Sequence, residues 1–133
     1  MSFSKTTPVL RIFDVAKAKE FYVDFLGFKL EWQHRLGDDG PIYLAVSKGA
    51  CELHLSEHHG DCCPGASVRF ATDEVDEFCA QLNATRYKFA RPEVNEMPWG
   101  SREMTIADPF GNRLTFAQTI PNAAPMPGVT RGG

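Results

Sequence analysis

The stretch DVAKAKEFYVDFLGFKLEW, Asp14 to Trp32, decides how the chain is read. Val15, Ala18, Phe21, Tyr22, Phe25 and Leu26 recur at the spacing that puts apolar side chains on one face of an α-helix. Asp14 stands just before them, where a carboxylate accepts from the free amides of a first helical turn. Gly27 follows them and predicts the stop, because a left-handed terminal residue costs glycine little. From Lys29 the period drops to two. Leu30, Trp32, His34 and Leu36 alternate with Lys29, Glu31, Gln33 and Arg35, which predicts a strand with each set on its own face.

Working outward, Pro8 to Ile12 reads as a strand before the helix. After it, Ile42 to Val46 and Cys51 to Ser56 read as strands, separated by turns at Gly37–Pro41 and Lys48–Gly49. The segment HHGDCCPG, His58 to Gly65, reads as a connector. The same order then returns: a strand over Ala66–Ala71, a helix over Glu74–Leu82, and strands over Arg86–Arg91, Arg102–Ile106 and Arg113–Ala117, with a tight turn at Asp108–Asn112. The fold class expected is α+β, two βαβββ modules at about 7–57 and 66–118 within a single domain of residues 1–120. A helix covers one face of each four-stranded sheet and leaves the other free. Two such sheets edge to edge would make a half-open barrel with a concave surface suited to a small molecule. The tail, 121–133, is rich in Pro, Gly and Ala and is expected to be flexible.

Composition narrows the partners. Hydrophobic residues make up 43% and charged residues 23% of 133, ordinary for a globular domain. The net charge of −3 weighs against nucleic acid, whose phosphates need a basic surface. No run approaches the roughly 20 apolar residues of a membrane span, and the start carries no signal-peptide pattern. Cys51, Cys62, Cys63 and Cys79 fit neither a disulfide framework nor a CxxC metal site, so reduced thiols in the cytoplasm are expected.

The residues also resemble a known family. Asp14 to Trp32 is similar to the helix and second strand of the vicinal-oxygen-chelate (glyoxalase/bleomycin resistance/dioxygenase) superfamily. PWGSREMTIADPFGNRLTF, Pro98 to Phe116, resembles the bleomycin-resistance branch in its PWG loop and DPxGN turn. The resemblance covers about residues 7–118 and implies the glyoxalase/bleomycin resistance fold in a homodimer. Metal-dependent members share four ligands of His, Glu or Gln type. The matching positions here are Thr7, Ser67 and Thr115, with only Glu52 or His54 able to serve at the fourth. Hydroxyls are poor ligands for a divalent transition metal, so no catalytic residue, metal or other cofactor is expected. A secondary site from Glu52, His54 and His58 stays open.

What the resemblance implies is a protein that binds a bleomycin-type antibiotic or related ligand without chemical change. Trp32, Tyr43 and Trp99 are candidate walls for planar rings. His34, Glu52, His54, Arg69 and Arg102 are candidate polar groups. Arg11 and Arg69 point toward the cavity by strand parity, which suits an anionic ligand better than a cationic drug. The alternatives are a metal-dependent lyase, isomerase or dioxygenase of the same superfamily, and a metabolite-binding dimer.

Overall fold

The structure, a computed structural model, describes residues 1–122 and Gly128. Most of the tail at 121–133 therefore lies outside the described residues. Among the described residues, eight strands form two four-stranded sheets. In the first, β1 (Val9–Arg11), β2 (Lys29–Arg35), β3 (Ile42–Lys48) and β4 (Cys51–Ser56) lie in the order β1-β4-β3-β2. β1 runs parallel to β4, and the remaining pairs are antiparallel. In the second, β5 (Ser67–Ala71), β6 (Asn95–Met97), β7 (Ser101–Ala107) and β8 (Arg113–Thr119) lie in the order β5-β8-β7-β6. A helical segment follows the first strand of each sheet, so the α+β class and the repeated strand–helix–three-strand order are as expected. No helix among the described residues is long and apolar enough to cross a membrane.

The first helix changes character partway. Asp14 caps α1 (Val15–Lys19) by accepting from the Lys17 amide at 3.0 Å. Glu20–Phe25 then continue as a π-helix, whose wider turn appears in the Leu26 amide bonding the Phe21 carbonyl, five residues back, at 2.9 Å. Phe21, Tyr22 and Phe25 are all buried along it. Gly27, at φ +81°, turns the chain out of the helix, and the Phe28 amide reaches back to the Tyr22 carbonyl at 2.9 Å. The inward face of the first sheet carries Leu10, Leu44, Val46, Leu53 and Leu55, each no more than 1% exposed. Each such side chain contributes about 1.5–3 kcal/mol on burial.

Two local expectations are corrected. Leu30 pairs with Val46 but Trp32 pairs with Ala45, so a bulge lies between them. One extra residue reverses the alternation. Leu30 therefore shares the apolar face with Val46 and Leu44, whereas Trp32 and His34 share the opposite face with Ala45 and Tyr43. Arg86–Arg91 is not a strand. α2 (Val75–Ala84) runs past its expected end, Arg86 takes a left-handed φ of +56°, and turns follow. Pro92, which lacks an amide hydrogen, comes before the strand that does pair with β7, at Asn95–Met97.

Two compact units divide the chain: residues 1–68 with 107–113, and residues 69–106 with 114 onward. Within the first, the DPFGN turn is bound to the helix and to β1. The Tyr22 hydroxyl donates to Asp108 Oδ2 at 2.6 Å, and Asn112 Nδ2 donates to the Arg11 carbonyl at 2.8 Å. Asp108 Oδ1 also accepts from the Phe110 and Asn112 amides at 2.8 Å each. Within the second, Phe116 stacks on Phe70 and meets Phe78 of α2 edge-on.

Candidate functional site

The outward face of the first sheet is ordered in rows by its register. Arg11, Ser56, Tyr43 and His34 are paired across β1, β4, β3 and β2. Val9, His54, Ala45 and Trp32 form the next row, and Glu52 pairs with Ser47 beyond it. The bulge in β2 is what brings Trp32 and His34 into these rows.

Three rings form a cluster on this face. Trp32 and Tyr43 are nearly parallel, 9° apart with centroids at 5.8 Å. His54 meets both edge-on, with centroids at 5.2 Å in each case. A hydrogen-bond chain fixes the histidine. Its Nε2 lies 2.9 Å from Glu52 Oε2, and its Nδ1 lies 2.7 Å from the Tyr43 hydroxyl. A carboxylate only accepts, so the hydrogen sits on Nε2 and Nδ1 accepts from Tyr43. Lys5 Nζ completes the chain, 3.2 Å from Glu52 Oε1. The hydrogen bond from His54, and then Lys5, hold the Glu52 carboxyl below the usual glutamate range. Burial, with Asp61 and Cys62 nearby, pushes the Tyr43 phenol up and keeps it a donor. Trp32 remains 46% exposed, so its ring is available to a ligand. Beside Tyr43 an open hollow of about 260 Å³ is lined by His34, Leu36, Pro41, His58 and Asp61 among others.

On the second sheet, Glu103 is a buried carboxylate that organises two of the expected residues. Arg69 grips it with two nitrogens, at 3.3 and 2.6 Å, and the Trp99 indole donates to it at 2.8 Å. Glu103 is held below its ordinary pKa, first by Arg69 and also by Trp99. Trp99 is thereby oriented while 46% of its surface stays open. Arg102 is elsewhere. Its guanidinium binds Asp76 of α2 at 2.7 and 3.1 Å and reaches Glu96 at 3.5 Å. Sequence reading missed Glu103 and the Lys5 contact. The parity of β7 carries a signal for Glu103, because Arg102, Met104 and Ile106 alternate with it.

The superfamily's metal does not fit these residues. Thr115 is buried and bonds Thr105 at 2.9 Å. Thr7 and Ser67 offer only hydroxyls at their positions. Glu52 and His54 are committed to each other and to Lys5 and Tyr43. Among the described residues, no three His, Cys, Asp or Glu side chains are grouped to hold an ion, and this includes Glu52, His54 and His58.

The fold and motifs define a glyoxalase-type protein, and comparison with known proteins gives the family. The family described as glyoxalase superfamily protein matches residues 1–122, and this chain belongs to it. The bleomycin resistance protein of Geobacillus stearothermophilus is 24% identical over 132 aligned residues, spanning 87% of this chain and 97% of that one. Among solved structures, TnmS3, an antibiotic binding protein from Streptomyces sp. CB03234, is 31% identical with a TM-score of 0.70, covering 90% of this chain and 98% of its own. The bleomycin-binding protein from bleomycin-producing Streptomyces verticillus, complexed with copper(II)-bleomycin, is 28% identical with a TM-score of 0.64, covering 87% and 96%. These similarities set the chain in the bleomycin-resistance branch of the superfamily.

Proposed function

We propose that this protein captures a small molecule with planar rings, of the bleomycin type or related to it, and releases it chemically unchanged. The observation that carries this is the Trp32–Tyr43–His54 cluster on the open face of the first sheet. His54 and Tyr43 are held by a hydrogen-bond chain through Glu52 to Lys5, and the Trp32 ring packs against both, so little ordering entropy is lost when a ligand stacks on Trp32. His54 has both nitrogens engaged and serves as a positioning residue for Tyr43 and Trp32. Trp99, set by Glu103, is a second aromatic surface of the same kind. His34, Glu52 and Arg69 border these rings, and Arg102 is bound to Asp76 of α2.

The functional form is a homodimer. β2 is an edge strand in which Trp32 is 46% exposed, and Leu36 just after it is 61% exposed; an edge of that kind favours cover by another chain. Cys51, Cys62, Cys63 and Cys79 are all free thiols, which suits a reducing cytoplasm.

Tryptophan fluorescence titration with bleomycin tests the capture. A saturable change at roughly micromolar drug, with intact drug recovered by mass spectrometry, is the expected result. No change at that concentration rejects bleomycin as ligand, and a modified drug rejects binding without chemistry. Light scattering on the eluting protein tests the dimer.

A further inference from the structure

Arg11 is a cation on the first sheet with no counter-charge among the described residues. Arg11 ends β1 in the row that continues through Ser56, Tyr43 and His34. Its Nε and Nη1 are sealed from solvent and have no hydrogen-bond partner. No carboxylate among the described residues pairs with it. The guanidinium carbon lies 4.7 Å from the Phe13 ring centroid, and that ring brings no net charge. Asp61, the acid that reaches this row, is bound to Ser56 Oγ at 2.6 Å and lies 3.5 Å from His58 Nδ1. Arg69 and Arg102 differ in this respect, since each is paired with a carboxylate.

Burying guanidinium hydrogens without an acceptor is unfavourable. A ligand cannot reach the sealed Nε and Nη1, but an anion alongside the guanidinium would supply the counter-charge that its surroundings lack. The remaining nitrogen, Nη2, is not among the sealed atoms and is left for that anion. We propose that Arg11 receives an acidic group of the ligand, so that among planar aromatic molecules this face prefers those carrying a carboxylate. This rests on the face being a capture surface and narrows what it captures. A carboxylate fits better than a phosphate. A dianion calls for several donors, whereas here a single cation stands near the carboxylate of Asp61. Strands lie about 4.8 Å apart, so in the order β1-β4-β3-β2 the Arg11 strand stands roughly 10 Å from that of Tyr43 and roughly 14 Å from that of Trp32.

The experiment compares 1-pyrenebutyrate with its uncharged amide, each titrated against the whole protein by tryptophan quenching. The expected result is an acid bound roughly tenfold more tightly than the amide, the size of one charge-assisted hydrogen bond. Arg11→Gln then brings the ratio near one and leaves the amide affinity unchanged. Arg11→Lys, which keeps the charge, retains part of the preference and serves as the variant should the glutamine protein not fold. Equal binding of the two probes to the natural protein, or a preference that survives Arg11→Gln, overturns the role of Arg11 while the capture surface stands. Binding of neither probe removes the capture surface for flat ligands, and the assignment with it.

Discussion

The Trp99 indole donates to the same Glu103 oxygen, Oε2, that receives Arg69, at 2.8 and 2.6 Å. One buried carboxylate thus sets the angle of an exposed aromatic ring. Its depressed pKa makes it a source of stability above the ordinary glutamate value of about 4.3, lost as pH falls through the lower folded value.

Glu103→Gln is therefore expected to cost about 1–2 kcal/mol at neutral pH, a figure discounted because the Arg69 side chain is 58% exposed. The difference from the natural protein shrinks as pH falls from the ordinary glutamate value through the lower folded one, where the natural carboxylate is protonated as well. Urea denaturation at pH 7 and pH 3 measures both. The Trp99 emission of the variant also becomes less anisotropic.

Tyr22→Phe removes the 2.6 Å bond to Asp108 from a fully buried site and is expected to cost about 1.5–3 kcal/mol. Burial first, and then Asp108, push the Tyr22 phenol far above its ordinary value. A tyrosine that stays neutral when folded but ionises when unfolded loses its stabilising effect as pH rises past about 10. The natural protein should thus weaken faster with alkali than the variant, which thermal melts from pH 8 to 11 read directly.

Trp32→Ala separates binding from folding. With 46% of its surface exposed, the ring's loss should lower stability by less than about 1 kcal/mol. The same loss should weaken a stacked ligand by roughly 2 kcal/mol, about thirtyfold. Calorimetric titration with bleomycin beside a thermal melt gives the two numbers, and unchanged affinity would remove Trp32 from the site.

His54→Phe keeps an aromatic edge against Trp32 and Tyr43 but removes both hydrogen bonds. Glu52 then loses the first of the two influences that depress it, and its carboxyl should titrate nearer the ordinary glutamate range. Carbon-detected NMR titration of the Glu52 side chain checks the direction. A Glu52 curve identical in both proteins would show that His54 does not hold it.

Much of this architecture is legible in the residues. Asp14, the apolar spacing behind it and Gly27 mark the first helix, and Asp108 to Asn112 mark the last turn. Aromatic residues in alternating strands point to the open sheet face. What escapes is whatever breaks a period. The bulge before Trp32 leaves no trace in the alternation, because Leu30 and Trp32 look equally apolar. The π-turn at Glu20–Phe25 adds less than one residue to the repeat. The edge strand at Asn95–Met97 is short and polar, while the more apolar Tyr87–Phe89 nearby lies in turns. The parity of β7 puts Glu103 on the face opposite Arg102, Met104 and Ile106, but its burial against Arg69 and Trp99 is visible only in the structure.

The turn at Asp108–Asn112 has a consequence for how the molecule is made. The hydroxyl of Tyr22 and the carbonyl of Arg11 find their partners 86 and 101 residues downstream. On a ribosome, the amino-terminal half must wait, incompletely closed, until the chain near residue 112 has emerged. Contacts at such separation slow folding, so premature termination before Asp108 would leave Tyr22 and Arg11 without these partners. Splitting the gene between the two repeats would fail for the same reason.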